Sequence, residues 1–319
     1  MKSAEHHAPV ALFVFNRPEH TRRTLEALQR NGLAEVTPLH IFSDAARHDE
    51  DDTAVHQVRK IIRETEGFAS VTLVEREKNM GLAASIIDGA TQLCRQYGQV
   101  IVLEDDLLTA PTFLTYMNAA LDRYRDIPQV GSISAYMYPV DGSGAGSDTV
   151  MLAHPMSWGW ATWADRWALF DADGEHLLQR LKDTRQLKRF DAIGPGGFER
   201  MLRGQIAGQN NSWFIRWHAS LFLAERKSLA PSRSLISNIG LDGTGVHCNE
   251  WLIDPFAVQL SDAPIEVTSI PMETAPAFRH ALNRFFRRSR RLRYINALYR
   301  LLPTPLKRVI SRNRNSNAR

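Results

Sequence analysis

Cysteine is nearly missing from this chain. Cys94 and Cys248 are the two in 319 residues, far apart and in no CxxC or zinc-ligand spacing, which excludes a disulfide framework and a structural zinc site. A reducing, cytoplasmic setting is the expectation. Long hydrophobic runs are missing too: no stretch approaches the roughly 18 apolar residues of a spanning helix, and Met1 to Ala8 has no apolar signal core. The chain is therefore expected to be neither secreted by that route nor integral to a membrane. Neither GxGxxG nor GxxxxGK[ST] stands at the first strand, so the dinucleotide fingerprint and the Walker phosphate loop find no support. Acid is missing from one region. From Arg279 to Arg319 there are 13 Lys plus Arg and no Asp or Glu, while the 278 residues before it carry 26 basic and 35 acidic groups, so the net +4 conceals an acidic body with a basic tail. Tryptophan is absent from residues 1–157, all seven lying between Trp158 and Trp251.

What is present reads first as alternating strands and helices. Strands are expected at Val10–Phe15, Leu39–Ser43, Val71–Val74 and Val100–Leu103, with helices from about Thr21 to Arg30, Thr53 to Glu64 and Leu82 to Tyr97. That order implies βαβ units and a mostly parallel sheet flanked by helices. Ligand loops then follow the strands at Asn16-Arg17, Ser43-Asp44, Lys78-Asn79-Met80-Gly81 and Glu104-Asp105-Asp106. The acidic triplet is the sharpest signal. Three adjacent carboxylates at a strand terminus raise one another's pKa unless a cation or donor is supplied. Hard oxygen ligands suit Mn²⁺ or Mg²⁺, which take one or two carboxylates and complete the shell with water and phosphate oxygens. A solvated acidic cap is the bland alternative, but these acids follow directly on an apolar strand and Leu107-Leu108 resumes at once. Arg17 is a candidate for holding phosphate.

The chain divides into residues 1–135, 136–278 and a tail, 279–319. A glycine-rich link, Asp141 to Asp148, reads as a mobile loop and a possible lid. Beyond it, Trp160, Trp163 and Trp167 recur at spacings of 3 and 4, a helical core stripe, while Trp158 is kept as the sugar contact. In the tail, aromatic and aliphatic residues interleave with arginine at roughly helical spacing, as in an interfacial amphipathic helix. An anionic membrane surface ranks first as its partner, packing on the protein's own acidic body second, and nucleic acid last.

Asn16-Arg17-Pro18, Phe42-Ser43-Asp44, Lys78-Asn79-Met80-Gly81 and Leu103-Glu104-Asp105-Asp106-Leu107, in that order, resemble the bacterial family 2-like glycosyltransferases of GT-A (Rossmann-like) fold. The form Glu-Asp-Asp-Leu followed by Ala110-Pro111-Thr112-Phe113 is similar to N-acetylglucosaminyltransferase I and its bacterial relatives. The resemblance runs from about Pro9 to Cys248. It implies a nucleotide-sugar-binding half (1–135), an acceptor-side, catalytic half (136–278), and a nucleotide-sugar donor, a UDP-sugar foremost. It implies Asp106 as metal ligand, Glu104 and Asp105 toward donor sugar and ribose, Asp44 toward the base and Arg17 toward the diphosphate, with Asn16, Asn79, Gly81 and Trp158 on the donor side and the segment Trp158-Gly159-Trp160 helping to build the acceptor side. It further implies transfer of a hexosyl or N-acetylhexosaminyl group, inverting; the arginine tail adds the expectation of a place at the inner face of the cell membrane, and tail and resemblance together that of a glycan or lipid-linked acceptor in cell-surface polysaccharide synthesis. An inverting mechanism needs a base, for which Asp165, Asp191, Glu199, Asp242 and His247 are candidates, with Asp242, His247 and Asp165 preferred. The family commonly has an acid just before a tryptophan in the segment resembling Asn211 to Trp217, and here Asn211 and Ser212 stand in that place. Two other classes remain: a nucleotidyltransferase acting on sugar phosphates, and a nucleotide-sugar-binding relic without chemistry.

Overall fold

Five apolar residues in succession, Val10–Val14, form β1, and all five are buried. Val10, Leu12 and Val14 enter one apolar cluster while Ala11 and Phe13 enter another on the opposite face. A strand covered on both sides has no reason to alternate, which is why it reads as a continuous run. The computed structural model describes residues 7–241 and 254–300. After β1 come α1 (Pro18–Gln29), β2 (Pro38–Ser43), α2 (Asp52–Arg63), β3 (Ser70–Glu75), α3 (Leu82–Tyr97) and β4 (Gln99–Glu104). Then follow β5 (Leu107–Thr109), α4 (Phe113–Tyr124), β6 (Val130–Ser134), β7 (Thr149–Leu152), β8 (Trp160–Trp163), α5 (Ala164–Trp167) and α6 (Gly174–Asp183). The described chain closes with α7 (Leu187–Ala192), α8 (Phe198–Ile206), α9 (Trp213–Leu223), β9 (Lys227–Pro231), β10 (Ile236–Asn238) and α10 (Pro276–Arg300).

Eight strands make one mixed sheet in the order β3-β2-β1-β4-β8-β6-β9-β7, and β10 pairs with β5 in a separate antiparallel ribbon. The first four strands are parallel; β8 runs antiparallel to both β4 and β6, and β9 is again parallel to β6. Helices cover both faces. α1, α2, α4 and the first half of α10 supply the cluster on one side, α3, α5 and α9 the cluster on the other, and α6 to α9 form a smaller apolar core of their own. The α/β architecture and its first seven elements stand as expected. Residues 1–135 and 136–278 share this one sheet, since β6 ends at Ser134 and sits between β8 and β9.

Three expectations change. Trp160 and Trp163 lie on β8 rather than on a helix, and residues three apart on a strand face opposite ways. Trp160 accordingly packs on the α3 side and Trp163 on the α4 side, and both are buried. The glycine-rich link is a short 3₁₀ turn, Gly142–Ala145, packed against the first turn of α10: a Cβ on Gly144 would stand 3.2 Å from that of Ala277. In α10, which carries the start of the tail, Phe278, Leu282 and Phe286 are buried in the main core. Packing on the protein's own body, ranked second for the tail, describes this half of the helix. No helix among the described residues is long and apolar enough to cross a membrane.

Candidate functional site

The carboxyl ends of β1, β2, β3 and β4 deliver four loops to one place. Arg17 precedes Pro18, which disfavours helical backbone at the residue before it and starts α1 one position later; Arg17 is the cap residue, with φ −120° and ψ 78°. Its guanidinium turns to the acidic triplet. Nη2 donates to Asp105 and, at 2.9 Å, to Oδ2 of Asp106. Asp105 and Asp106 are 4% and 7% exposed, so these are ion pairs largely out of water. Asp105 also accepts the Phe15 amide at 3.4 Å, and its own carbonyl accepts the Thr24 hydroxyl at 2.8 Å.

The electrostatics follow from this crowding. Burial, then the charges of Asp106 and Asp105, push the Glu104 carboxyl up to about 8 against the pull of Arg17. Burial likewise carries Asp105 up to about 6, with Arg17 opposing and Asp106 adding to the rise. For Arg17 burial works to lower the pKa, and the two aspartates outweigh it, so the guanidinium is held protonated above its ordinary range. One cation therefore serves three carboxyls. Arg17 Nη1 is buried and has no hydrogen-bond acceptor among the described residues.

The other donor-side residues tie loops together. Asp44, 5% exposed, accepts three backbone N–H groups: Ala45 at 3.0 Å, Met80 at 2.8 Å and Gly81 at 2.8 Å. Asn79 Nδ2 donates to the Ala45 carbonyl at 2.7 Å, completing the join between the loops after β2 and β3. Gly81 has φ +74°, a left-handed backbone that glycine adopts without strain, and opens α3. Asn16 Nδ2 donates to Asp51 at 2.6 Å, anchoring the β1 loop to the turn before α2.

On the far side of the triplet lies β10. Its register with β5 sets Asn238 opposite Leu107, and the Ile239 amide donates to the Asp106 carbonyl at 2.9 Å. Gly240 is then pressed onto the site: a Cβ there would fall inside the Asp106 carboxylate and 2.8 Å from Arg17 Nη1. Thr24 and the Phe15 amide are contributions that sequence reasoning missed, and nothing marked Thr24. Gly240 stands in a glycine-rich stretch, Ser237 to His247, that marks it in the sequence.

Trp158 is partly buried, its ring edge-on to Tyr136 with centroids 4.6 Å apart and to Phe256 at 6.2 Å. The next residue, Gly159, has φ +64° and lies against Ile236 of β10, so this segment borders the ribbon that carries Gly240. Asp165 is not brought here. The register Gln99 to Trp163 sets it beside the start of β4, roughly 17 Å of strand away from Glu104, where it pairs with Arg166 on the surface. Asp191 and Glu199 belong to the helices of the smaller core, where the Glu199 amide donates to Asp191 and the Glu199 carboxylate pairs with Arg203. Asn211 and Ser212 open α9: Ser212 accepts the Ile215 amide as N-cap, and Asn211 accepts from Arg216 at 3.4 Å. Asp242 and His247 lie outside the described residues.

Among the described residues no three His, Cys, Asp or Glu side chains converge as a metal-holding set. Asp106 has Oδ2 on Arg17, leaving one carboxylate oxygen for a cation. That fits Mn²⁺ or Mg²⁺ anchored by a single carboxylate with phosphate and water completing the shell, and does not fit an all-protein cage.

No known protein family model matches the chain, and no curated protein matches it in sequence. Solved structures do. S. aureus TarS aligns over 73% of this chain and 37% of its own, at 11% identity and a TM-score of 0.41; residues 1–349 of TarS in complex with UDP align over 72% and 59%, at 12% and 0.38. The WbbM bifunctional glycosyltransferase aligns over 71% and 39%, at 10% and 0.34. UDP-glucose pyrophosphorylase complexed with UDP-glucose aligns over 70% and 90%, at 13% and 0.33. This chain thus spans little more than a third of full-length TarS.

Proposed function

We propose that the chain is a glycosyltransferase, moving a hexosyl or N-acetylhexosaminyl group from a nucleotide-diphosphate donor, a UDP-sugar foremost, to a glycan or lipid-linked acceptor in cell-surface polysaccharide synthesis. The observation that carries this reading is Arg17. A buried guanidinium with one nitrogen bound to two carboxylates and the other lacking any described acceptor is poised for an anion at the carboxyl end of an α/β sheet. A diphosphate oxygen is the acceptor that suits it. The loops joined through Asp44 and Asn79 form the wall on which the nucleoside rests, and Glu104 and Asp105 face the ribose and donor sugar.

Asp106 is the residue that would hold Mn²⁺ or Mg²⁺ together with the donor, and the ion would supply charge neutralisation for the diphosphate leaving group. The acceptor side is the Trp158 segment with β10. The base of an inverting reaction is assigned to the segment after Gly240, where Asp242 and His247 stand in the sequence.

One observation favours a second reading, a nucleotide-sugar-binding relic: Asn211 and Ser212, at the head of α9, are a ligand of Arg216 and a helix cap rather than acids. Calorimetry with a panel of nucleotide sugars, with and without Mn²⁺, followed by turnover, tests both. Expected are no tight binding of Mn²⁺ alone, Mn²⁺-dependent binding of a UDP-sugar, and loss of that dependence in Asp106→Asn. Binding without turnover leaves the relic; full activity in Asp106→Asn removes the central claim.

A further inference from the structure

The tail helix α10 carries eight arginines and no acid between Pro276 and Arg300. Most of its described apolar side chains, Ile295 apart, are already turned to the body, and the buried face takes in two polar residues as well. Phe278, Leu282, Phe286, Ser289 and Asn296 are buried, and the partly buried Phe285 lies against Tyr138 and Phe256 with centroids 5.2 and 6.0 Å apart. At about 3.6 residues per turn, Arg279, Arg284, Arg287, Arg288, Arg290 and Arg291 fall on the opposite side, and all six are exposed. These cations, none paired with a described carboxylate, run over roughly 18 Å of helix and are fixed to a body whose own balance is acidic.

We infer that this arginine face docks the protein on an anionic lipid surface by charge alone, with the apolar side of the helix kept in the protein's own core. This differs from an interfacial helix, whose aromatic and aliphatic side chains enter the acyl boundary. A planar bilayer meets the whole row at once, and each arginine near such a surface adds to binding. Nucleic acid fits less well. Phe278, Phe285, Phe286 and Tyr299 turn inward, so no aromatic platform remains among the described side chains for stacking bases. The inference rests on α10 and stands apart from the donor chemistry.

Cosedimentation of the full chain with vesicles of phosphatidylcholine alone, or mixed with phosphatidylglycerol, is the test. The expected result is binding to the mixed vesicles only, abolished in molar salt, where the screening length falls to about 3 Å. The variant R284E/R287E/R288E/R291E should bind on the order of a hundredfold more weakly or worse, with an unchanged circular dichroism spectrum and thermal midpoint because these positions lie off the core. Should that reversal disturb folding, the glutamine version R284Q/R287Q/R288Q/R291Q carries the same comparison. Equal binding by the variant overturns the proposal, as does salt-resistant binding to neutral vesicles. A wild-type chain that ignores both vesicles but is retained on polyuridylate assigns the face to nucleic acid and overturns it equally.

Discussion

Gly240 is the residue on which the acidic triplet closes. Its Cα stands so near Asp106 and Arg17 that a methyl group cannot be added without moving one of them. Gly240→Ala leaves the chemistry of every proposed ligand intact, and only their placement changes. Overpacking of this kind costs ~1–3 kcal/mol, and here the cost falls on the Arg17–Asp106 pair. The expected outcome is UDP-sugar affinity weakened on the order of tenfold to a hundredfold, read by calorimetry, with a small shift in thermal midpoint. Unchanged affinity would mean that β10 yields freely and does not shape the donor site. The triplet and Arg17 were legible in the sequence because they sit beside strand ends, where short-range order determines position. Gly240 touches Asp106 across 134 positions of sequence, and no local pattern reports such a contact. The same holds for Asp44: its place after β2 could be read, its three backbone partners could not.

Elements divide along similar lines. β1 to β4 and α1 to α3 were legible because parallel strands covered on both faces are continuous apolar runs and their crossover helices keep a clear period. Four-residue β8 offers no such length. Its two tryptophans carry a spacing that reads equally as helix, and only the sheet decides between them. α9 hides something else. His218 is fully buried in it, among Phe198 at 4.3 Å, Phe190 at 4.9 Å and His154 at 6.4 Å between ring centroids. Neither His218 nitrogen has a partner among the described residues, and His154 has only the Tyr138 hydroxyl, at 3.3 Å. Burial pushes His154 from 6.5 down to about 4, and burial with help from His154 drives His218 well below its ordinary value. At these two histidines the unfolded chain therefore binds protons that the folded one does not between those values, while Glu104 and Asp105, raised to about 8 and about 6, do the reverse. The histidine contribution to stability is expected to be complete above about 6.5 and to fall as pH drops toward about 4, by ~3 kcal/mol for His154 alone. Urea unfolding across that window measures it. The stability difference between wild type and His154→Gln should change by about that amount in favour of the variant as pH falls toward 4; a difference that stays constant with pH assigns acid lability to other groups.

At the scale of the whole molecule, α10 joins the tail to the body, and the sequence alone left open whether its apolar side met lipid or protein. Phe286, 3% exposed, lies against Tyr138 and Phe285 with centroids 4.9 and 5.7 Å apart, and Leu282 beside it is 5% exposed. Phe278 and Leu282 continue the same contact into the core that also holds β1 and α4. Cutting the chain before Arg279 would therefore remove part of the core along with the arginines, and loss of vesicle binding in such a truncation would not separate charge from folding. Phe286→Ala separates them. A buried phenylalanine truncated to alanine costs ~3–5 kcal/mol, so the thermal midpoint should fall by several degrees while the folded fraction keeps its salt-sensitive affinity for anionic vesicles. An inserted helix gives the reverse, a steady midpoint and a lost affinity. Because one substitution moves the two readouts in opposite directions under the two arrangements, thermal unfolding and cosedimentation on the same preparation decide whether the tail is anchored in the protein or in the membrane.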